Sequence, residues 1–182
     1  NSEETMKIIE CPRDAMQGWE SFIPTQSKVD YINQLLKVGF DTIDFGSFVS
    51  PKAIPQMRDT VEVLSQLDLS ESSTKLLAIV ANLRGAEEAC LHKEISYLGF
   101  PLSLSETFQQ KNTNKSIAEA LAIVQGIQNL CVKHNKVLVV YLSMGFGNPY
   151  GDPYEPALVT EFVNRLDAME IKIISLSDTV GV

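Results

Sequence analysis

Short apolar, β-branched runs alternate along this chain with longer amphipathic stretches, and that alternation constrains its fold more than any other feature. The sequence predicts strands at 7–11 (KIIEC), 42–47 (TIDFGS), 75–82 (KLLAIVAN), 94–101 (EISYLGFP), 136–143 (KVLVVYLS) and 172–178 (KIISLSD). "LLAIV" and "VLVVYL" lack a period of two, so both faces of those strands are expected to be buried, as in a parallel sheet covered by helices. The stretches between carry helix signals. "SKVDYINQLLKVGF" offers Ser27 as N-cap and Gly39 as the residue past the helix end. "PKAIPQMRDTVEVLSQL" predicts a helix over 53–67, with Pro55 tolerable only in its first turn. "GAEEACLHK" predicts a short helix. "SIAEALAIVQGIQNLCVKH" opens with Ser116 and Glu119 at the spacing of a capping box. Its Ile117, Leu121, Val124, Ile127 and Cys131 form one apolar stripe. "EPALVTEFVNRLDAME" is the last helix. The order is βα five times, then a sixth strand. No linker or low-complexity stretch interrupts it, so residues 1–182 read as a single α/β domain.

Composition narrows the function. The chain is 45% apolar and 21% charged, enough for one sizeable core. No apolar run approaches the ~18 residues of a membrane span, and the polar, acidic Asn1–Thr5 shows no signal peptide. The net charge is −8 and no basic cluster exists, which argues against nucleic acid. An anionic substrate would need a local cationic pocket. Cys11, Cys90 and Cys131 show no CxxC spacing, and an odd count suggests free thiols in a reducing cytoplasm.

In parallel α/β proteins the loops at the strand C-terminal ends converge on one face and carry the chemistry. Unusual polar residues fall at those positions here. Strand one ends in Arg13 and Asp14, with Gln17 beyond. Strand two carries Asp44 and then Ser47. Strand three ends at Asn82, strand five at Tyr141 and Ser143, and strand six at Ser177, Asp178 and Thr179. Each residue alone has a plainer reading. Arg13–Asp14 suits a solvated turn, Asp44 a structural ion pair with Arg13, and Asn82 and Asp178 helix N-caps. Their conjunction at five strand ends favours a site. His92 and His134 fall at predicted helix C-termini, where the dipole favours a protonated imidazole. Met16 and Trp19 suit either a pocket wall or the core. "GFGNPYGDPY" (145–154) lacks the Lys and following Ser or Thr of a phosphate loop and reads as a lid or a rigid connector.

"PRDAMQ", "SFVSPKAIPQM", "ANLRGAEEA", "SETFQQKNTNKSI" and "ISLSDTVGV" stand in the order and spacing of one family. The chain resembles the hydroxymethylglutaryl-CoA lyases, within a wider superfamily of metal-dependent (β/α)8 lyases and acyl-CoA condensing synthases. The resemblance implies a TIM barrel, present as about six βα strands. It implies retro-Claisen cleavage of 3-hydroxy-3-methylglutaryl-CoA to acetyl-CoA and acetoacetate, assisted by Mg or Mn. By position, Asp14 resembles the metal ligand and Arg13 the cation facing the acyl carbonyl. Asp44 stands where the family has a Glu that orients that Arg. Gln17, Ser47, Asn82, Ser143, Asp178 and Thr179 are assigned to the substrate pocket. Lys52, Arg84, Lys111 and Lys115 are candidates for the CoA phosphates, and a homodimer is expected. Cleavage leaves an enolate oxygen that Arg13 can stabilise, and hard oxygen ligands such as Asp14 suit Mg or Mn.

The departures are specific. The family's "GPRDGLQ" becomes "CPRDAMQ", and Asp44 is one methylene shorter than Glu. The family continues beyond a sixth strand with an H-x-H metal pair and a Gly-rich loop bearing a catalytic Cys, so the cation is expected to be weakly held or absent without them. Six strands fit a truncated piece of a longer barrel, a barrel incompletely represented, or an open flavodoxin-like sheet. The alternative functions are a condensing synthase of the same superfamily and a non-catalytic partial barrel pairing through open edges.

Overall fold

The computed structural model describes residues 9–103, 117–143 and 156–177. Six strands form one sheet: β1 (Ile9–Glu10), β2 (Thr42–Phe48), β3 (Lys75–Val80), β4 (Ile95–Ser103), β5 (Val137–Ser143) and β6 (Ile173–Ser177). All six predicted strands are present at nearly the predicted positions. Every neighbouring pair is parallel, and the spatial order is the chain order, β1 to β6. Parallel crossovers are right-handed. With sequential order, that places every connecting helix on the same face. The other face then has no helices to bury it and must curl in on itself, which is barrel geometry. A flavodoxin-like sheet would need its order to reverse at one point, so that alternative is excluded.

Two apolar clusters follow from this arrangement. The larger joins the outer strand residues Ile43, Leu76, Ala78, Leu98, Leu138 and Val140 to the helices. The smaller lies on the concave face: Leu77, Ile79, Tyr97 and Val139, with Tyr141 against them. Burial on both sides is why "LLAIV" and "VLVVYL" show no alternation. The described residues form six strands of a (β/α)8-type barrel.

The helices are α1 (Pro12–Gln17), α2 (Thr25–Val38), α3 (Thr60–Gln66), α4 (Leu83–Cys90), α5 (Ile117–Lys133) and α6 (Pro156–Ala168). Three expectations need correction. "PRDAMQ" is not a turn but a helical segment, because Pro12 at its first position needs no N–H partner and presets φ. α2 begins at Thr25, two residues before the expected Ser27 cap, and ends as expected at Gly39, whose φ is 89°. The run 53–67 is not one helix. A 3-10 turn (Pro55–Met57) precedes α3, and Asp59 between them is drawn out of line by buried partners. Asp59 meets Lys28 Nζ at 2.6 Å and accepts from Thr25 Oγ1 at 2.7 Å. Lys28 is 2% exposed and also donates to the Gln56 carbonyl. The Gln56 side chain accepts from Ile23 N–H at 2.8 Å and donates to the Ser21 carbonyl at 2.9 Å. This network anchors the 18–24 connection against the loop after β2. Ser116 of the expected capping box lies outside the described residues, as does loop 145–154.

Candidate active site

β2 is irregular where the polar residues sit. Its register against β3 slips between Asp44 and Gly46, so that Asp44 pairs with Leu77 and Ser47 with Ile79. Leu77 and Ile79 both belong to the concave cluster. The bulge therefore puts Asp44 and Ser47, three residues apart, on the same inner face. Regular alternation would have sent them to opposite sides. Thr60 of α3 holds the bulge: Ser47 N–H donates to Thr60 Oγ1 at 3.2 Å, and that hydroxyl lies 3.0 Å from the Ser47 carbonyl. Gly46 is required there, since a Cβ would come within 2.6 Å of Thr60 Cγ2.

Around Asp44 the first two segments converge. Arg13 Nε lies 3.0 Å from both carboxylate oxygens. The α1 geometry brings Gln17, one turn on, to the same guanidinium, and Arg13 Nη1 donates to Gln17 Oε1 at 2.8 Å. Cys11 Sγ donates to Asp44 Oδ2 at 3.1 Å, and Arg13 Nη2 lies 3.8 Å from that sulfur. Three of the five guanidinium N–H groups are thereby engaged, and two are unengaged among the described residues. Burial works against the Arg13 charge, but Asp44, Cys11 and Asp14 together outweigh it and raise the guanidinium above its ordinary value. Burial pushes the Asp44 carboxyl up, against the pull of Arg13. Burial, then the Asp44 charge, push the Cys11 thiol up to about 12. Tyr141, on β5, is also pushed up to about 12, by burial first and then by Asp44 and Cys11. In a flat sheet three strand spacings would separate β2 from β5 by about 14 Å. Their electrostatic coupling reflects the curl of the sheet, with Tyr141 facing the site across the concavity.

The remaining predicted residues fall as follows. Ser47 is buried, and among the described residues its Oγ is the buried side-chain oxygen without a hydrogen-bond partner. Asp14 is exposed on α1 beside the pair. Asn82 caps α4, its Oδ1 accepting from Gly85 N–H at 2.8 Å, which is the plainer of its two readings. Ser143 is buried at the end of β5, level with Ser177. Asp178, Thr179, Lys111 and Lys115 lie outside the described residues, while Lys52 and Arg84 are exposed. His92 follows α4 and stacks near Phe48, ring centroids 5.7 Å apart; His134 follows α5. Met16 is core and Trp19 is 67% exposed. Trp19 lines a cleft of about 380 Å³ with Gln17, Phe22, Pro55 and Arg58. Among the described residues, no three His, Cys, Asp or Glu side chains converge as a metal would need. Asp14, the expected ligand, is therefore not part of a three-residue cluster of that kind among the described residues. Sequence reasoning missed Cys11 as a site member and the Lys28–Asp59 pair. Cys11 was one residue before the PRD segment, and its strand-like neighbours disguised it.

Sequential parallel strands with a guanidinium–carboxylate pair on the concave face define a (β/α)-barrel protein with a polar centre at the strand C-terminal ends. The HMGL-like family model matches residues 6–182, and the chain belongs to that family. It is 38% identical over 170 residues to the hydroxymethylglutaryl-CoA lyase of Bacillus subtilis, covering 93% of this chain and 56% of that protein. It is 36% identical over 182 residues to the cytoplasmic 3-hydroxy-3-methylglutaryl-CoA lyase of Rattus norvegicus, covering 98% and 52%. The crystal structure of the Bacillus subtilis HMG-CoA lyase superposes with a TM-score of 0.90 at 36% identity, over 97% of this chain and 59% of that one. An Acinetobacter baumannii HMG-CoA lyase, in complex with coenzyme A and 3-methylmalate, superposes with a TM-score of 0.85 at 30% identity, over 93% and 55%. The chain spans about half the length of the curated relatives it matches. No helix among the described residues is long and apolar enough to cross a membrane.

Proposed function

We propose that this protein belongs to a carbon–carbon lyase that cleaves 3-hydroxy-3-methylglutaryl-CoA to acetyl-CoA and acetoacetate. The observation that carries the reading is a half-buried arginine, fixed by Asp44 and Gln17, with two N–H groups unengaged among the described residues, on the concave face that also carries the Ser47 hydroxyl. Arg13, paired with Asp44, is the cation this site offers to the thioester oxygen. In the reaction the substrate's tertiary hydroxyl loses its proton and its oxygen becomes the ketone of acetoacetate. The C–C bond breaks, and its electrons pass into the thioester as an enolate. Arg13 stabilises the enolate oxygen as its charge develops, and Ser47 orients the bound acyl group. Protonation of the enolate carbon gives acetyl-CoA. Neither Cys11 nor Tyr141 serves as the base at neutral pH, since both are held protonated up to about 12. Gln17, Asn82, Ser143, Asp178 and Thr179 complete the pocket in this reading. Asp14 would help hold a Mg or Mn ion, which would polarise the substrate's hydroxyl and carboxylate oxygens. The protein acts as a homodimer in a reducing compartment that suits its three free thiols; its relatives carry both cytoplasmic and mitochondrial names.

Trp19 is the single tryptophan and borders Gln17 in the cleft, which makes its fluorescence a binding probe. 3-Hydroxy-3-methylglutaryl-CoA is expected to shift it in the wild type and to lose at least tenfold in affinity in Arg13→Met. Acetoacetate release, with Mg or Mn added, reports cleavage. The 182 residues alone are expected to turn over little, with one described hard ligand for the cation. In any active form, Arg13→Lys is expected to lower kcat by roughly 10²–10³. A response to acetyl-CoA plus a 2-oxo acid, with none to 3-hydroxy-3-methylglutaryl-CoA, would transfer the assignment to the condensing synthases.

A further inference from the structure

We infer that Cys11 is a positioning residue: its thiol closes a ring of contacts with Asp44 and Arg13 that fixes the plane of the guanidinium. Arg13 reaches Asp44 through a single nitrogen, Nε, shared between Oδ1 and Oδ2 at 3.0 Å each. That is not the two-nitrogen fork that holds an arginine flat against a carboxylate. A bifurcated contact at one nitrogen leaves the guanidinium free to pivot about Nε. Two further contacts oppose the pivot. One is Gln17 Oε1, which takes Nη1 at 2.8 Å. The other is the Cys11 sulfur, which stands where the second arm of a fork would fall. It donates its S–H to Asp44 Oδ2 at 3.1 Å and lies 3.8 Å from Nη2 as an acceptor. Sulfur can serve both neighbours at these distances, because it is a weak donor and a weak acceptor with a large radius. The three groups come from three elements: the β1–α1 junction, α1 and β2. The ring thus ties the first strand end to the second, and it determines where the remaining N–H groups of Arg13 point.

Asp44 is the right length for this role only because Cys11 is there. One more methylene at 44 would drive the carboxylate into the space the sulfur occupies. Asp44→Glu is therefore expected to be tolerated poorly in the wild type and better with Cys11→Gly, which vacates that space. The aim of Arg13 is set by these contacts whichever thioester binds.

Two spectroscopic readouts test it without any need for turnover. In the ¹⁵N–¹H spectrum of the chain, a guanidinium held from rotating shows distinct Nη1 and Nη2 resonances. With four arginines, assignment by substitution is direct. Arg13 is expected to show separate signals in the wild type, retain them in Cys11→Ser and lose them to averaging in Cys11→Ala. In the infrared, the Cys11 S–H stretch, identified by its loss in Cys11→Ser, is expected below the frequency of a free thiol and to rise in Asp44→Asn. Separate Nη signals in Cys11→Ala, or a Cys11 S–H band at the free-thiol frequency, would overturn the proposal. Should Cys11→Ala fail to fold, the infrared comparison of wild type with Asp44→Asn and the Cys11→Gly/Asp44→Glu rescue decide it, the latter read as recovery of the urea midpoint lost in Asp44→Glu alone.

Discussion

Asp44 is 3% exposed, and its carboxylate is sustained inside a parallel sheet by a cation and a thiol. Truncating one partner of such a group leaves the other buried without its match, which costs more than the pair contributes. Asp44→Asn is expected to lower stability by about 1–3 kcal/mol, read as a lower urea midpoint. The thiols set a pH dependence. Cys11 and Cys131 are held up to about 12, against an ordinary value of 9.0, by burial first. Between those values the unfolded chain has released protons that the folded chain retains, so the unfolded state binds fewer and stability falls as pH rises. Their contribution is complete below pH 9 and lost progressively toward about 12. Thermal midpoints measured from pH 8 to 11 should decline, and less steeply in Cys131→Ala, judged against its own value at pH 8. Below pH 9 the native thiols should alkylate far more slowly than those of the denatured chain, since the thiolate is the nucleophile.

At the scale of elements, the bulge in β2 is what converts a strand into a site. It depends on one hydroxyl. Thr60→Val preserves shape and removes the partner of the Ser47 N–H and carbonyl. Burying those groups unpaired costs about 1–3 kcal/mol, and loss of the bulge would displace Ser47 from the face it shares with Asp44. Weaker substrate binding should accompany the lower urea midpoint; a stability loss with unchanged binding would detach the bulge from the site. The Lys28–Asp59 pair gives a second element-scale expectation. Lys28→Met strands a carboxylate among buried neighbours and should cost about 3–5 kcal/mol, while adding Asp59→Leu should recover much of it. Strand positions were legible because buried parallel strands are written as uninterrupted β-branched runs. The bulge was not: "TIDFGS" has a strand's composition, and the slip arises only when Thr60, thirteen residues after Ser47, comes to meet it. The break in 53–67 was hidden for the same reason, since Asp59 leaves helical alignment to reach Lys28 and Thr25.

For the molecule as a whole, sequential order leaves β1 and β6 with one strand partner each among the described residues. Both carry exposed apolar side chains: Ile9 is 49% and Leu176 54% exposed. Such edges favour pairing with more chain. Sedimentation of the 182-residue chain is expected to show self-association, with the homodimer the leading species; a monomer at all concentrations would remove that expectation. The sequence by itself determined the βα alternation, the burial of both sheet faces, the family and the identity of the Arg13, Asp44 and Ser47 side chains, because each of these is written in local composition or in short fixed spacings. Only the tertiary structure decided that Ser47 shares a face with Asp44, that Cys11 joins them, and that Tyr141 looks across at them from β5. Those facts depend on strand register, on a one-residue slip and on sheet curvature, which are set by contacts between segments far apart in the chain and leave no local trace in it.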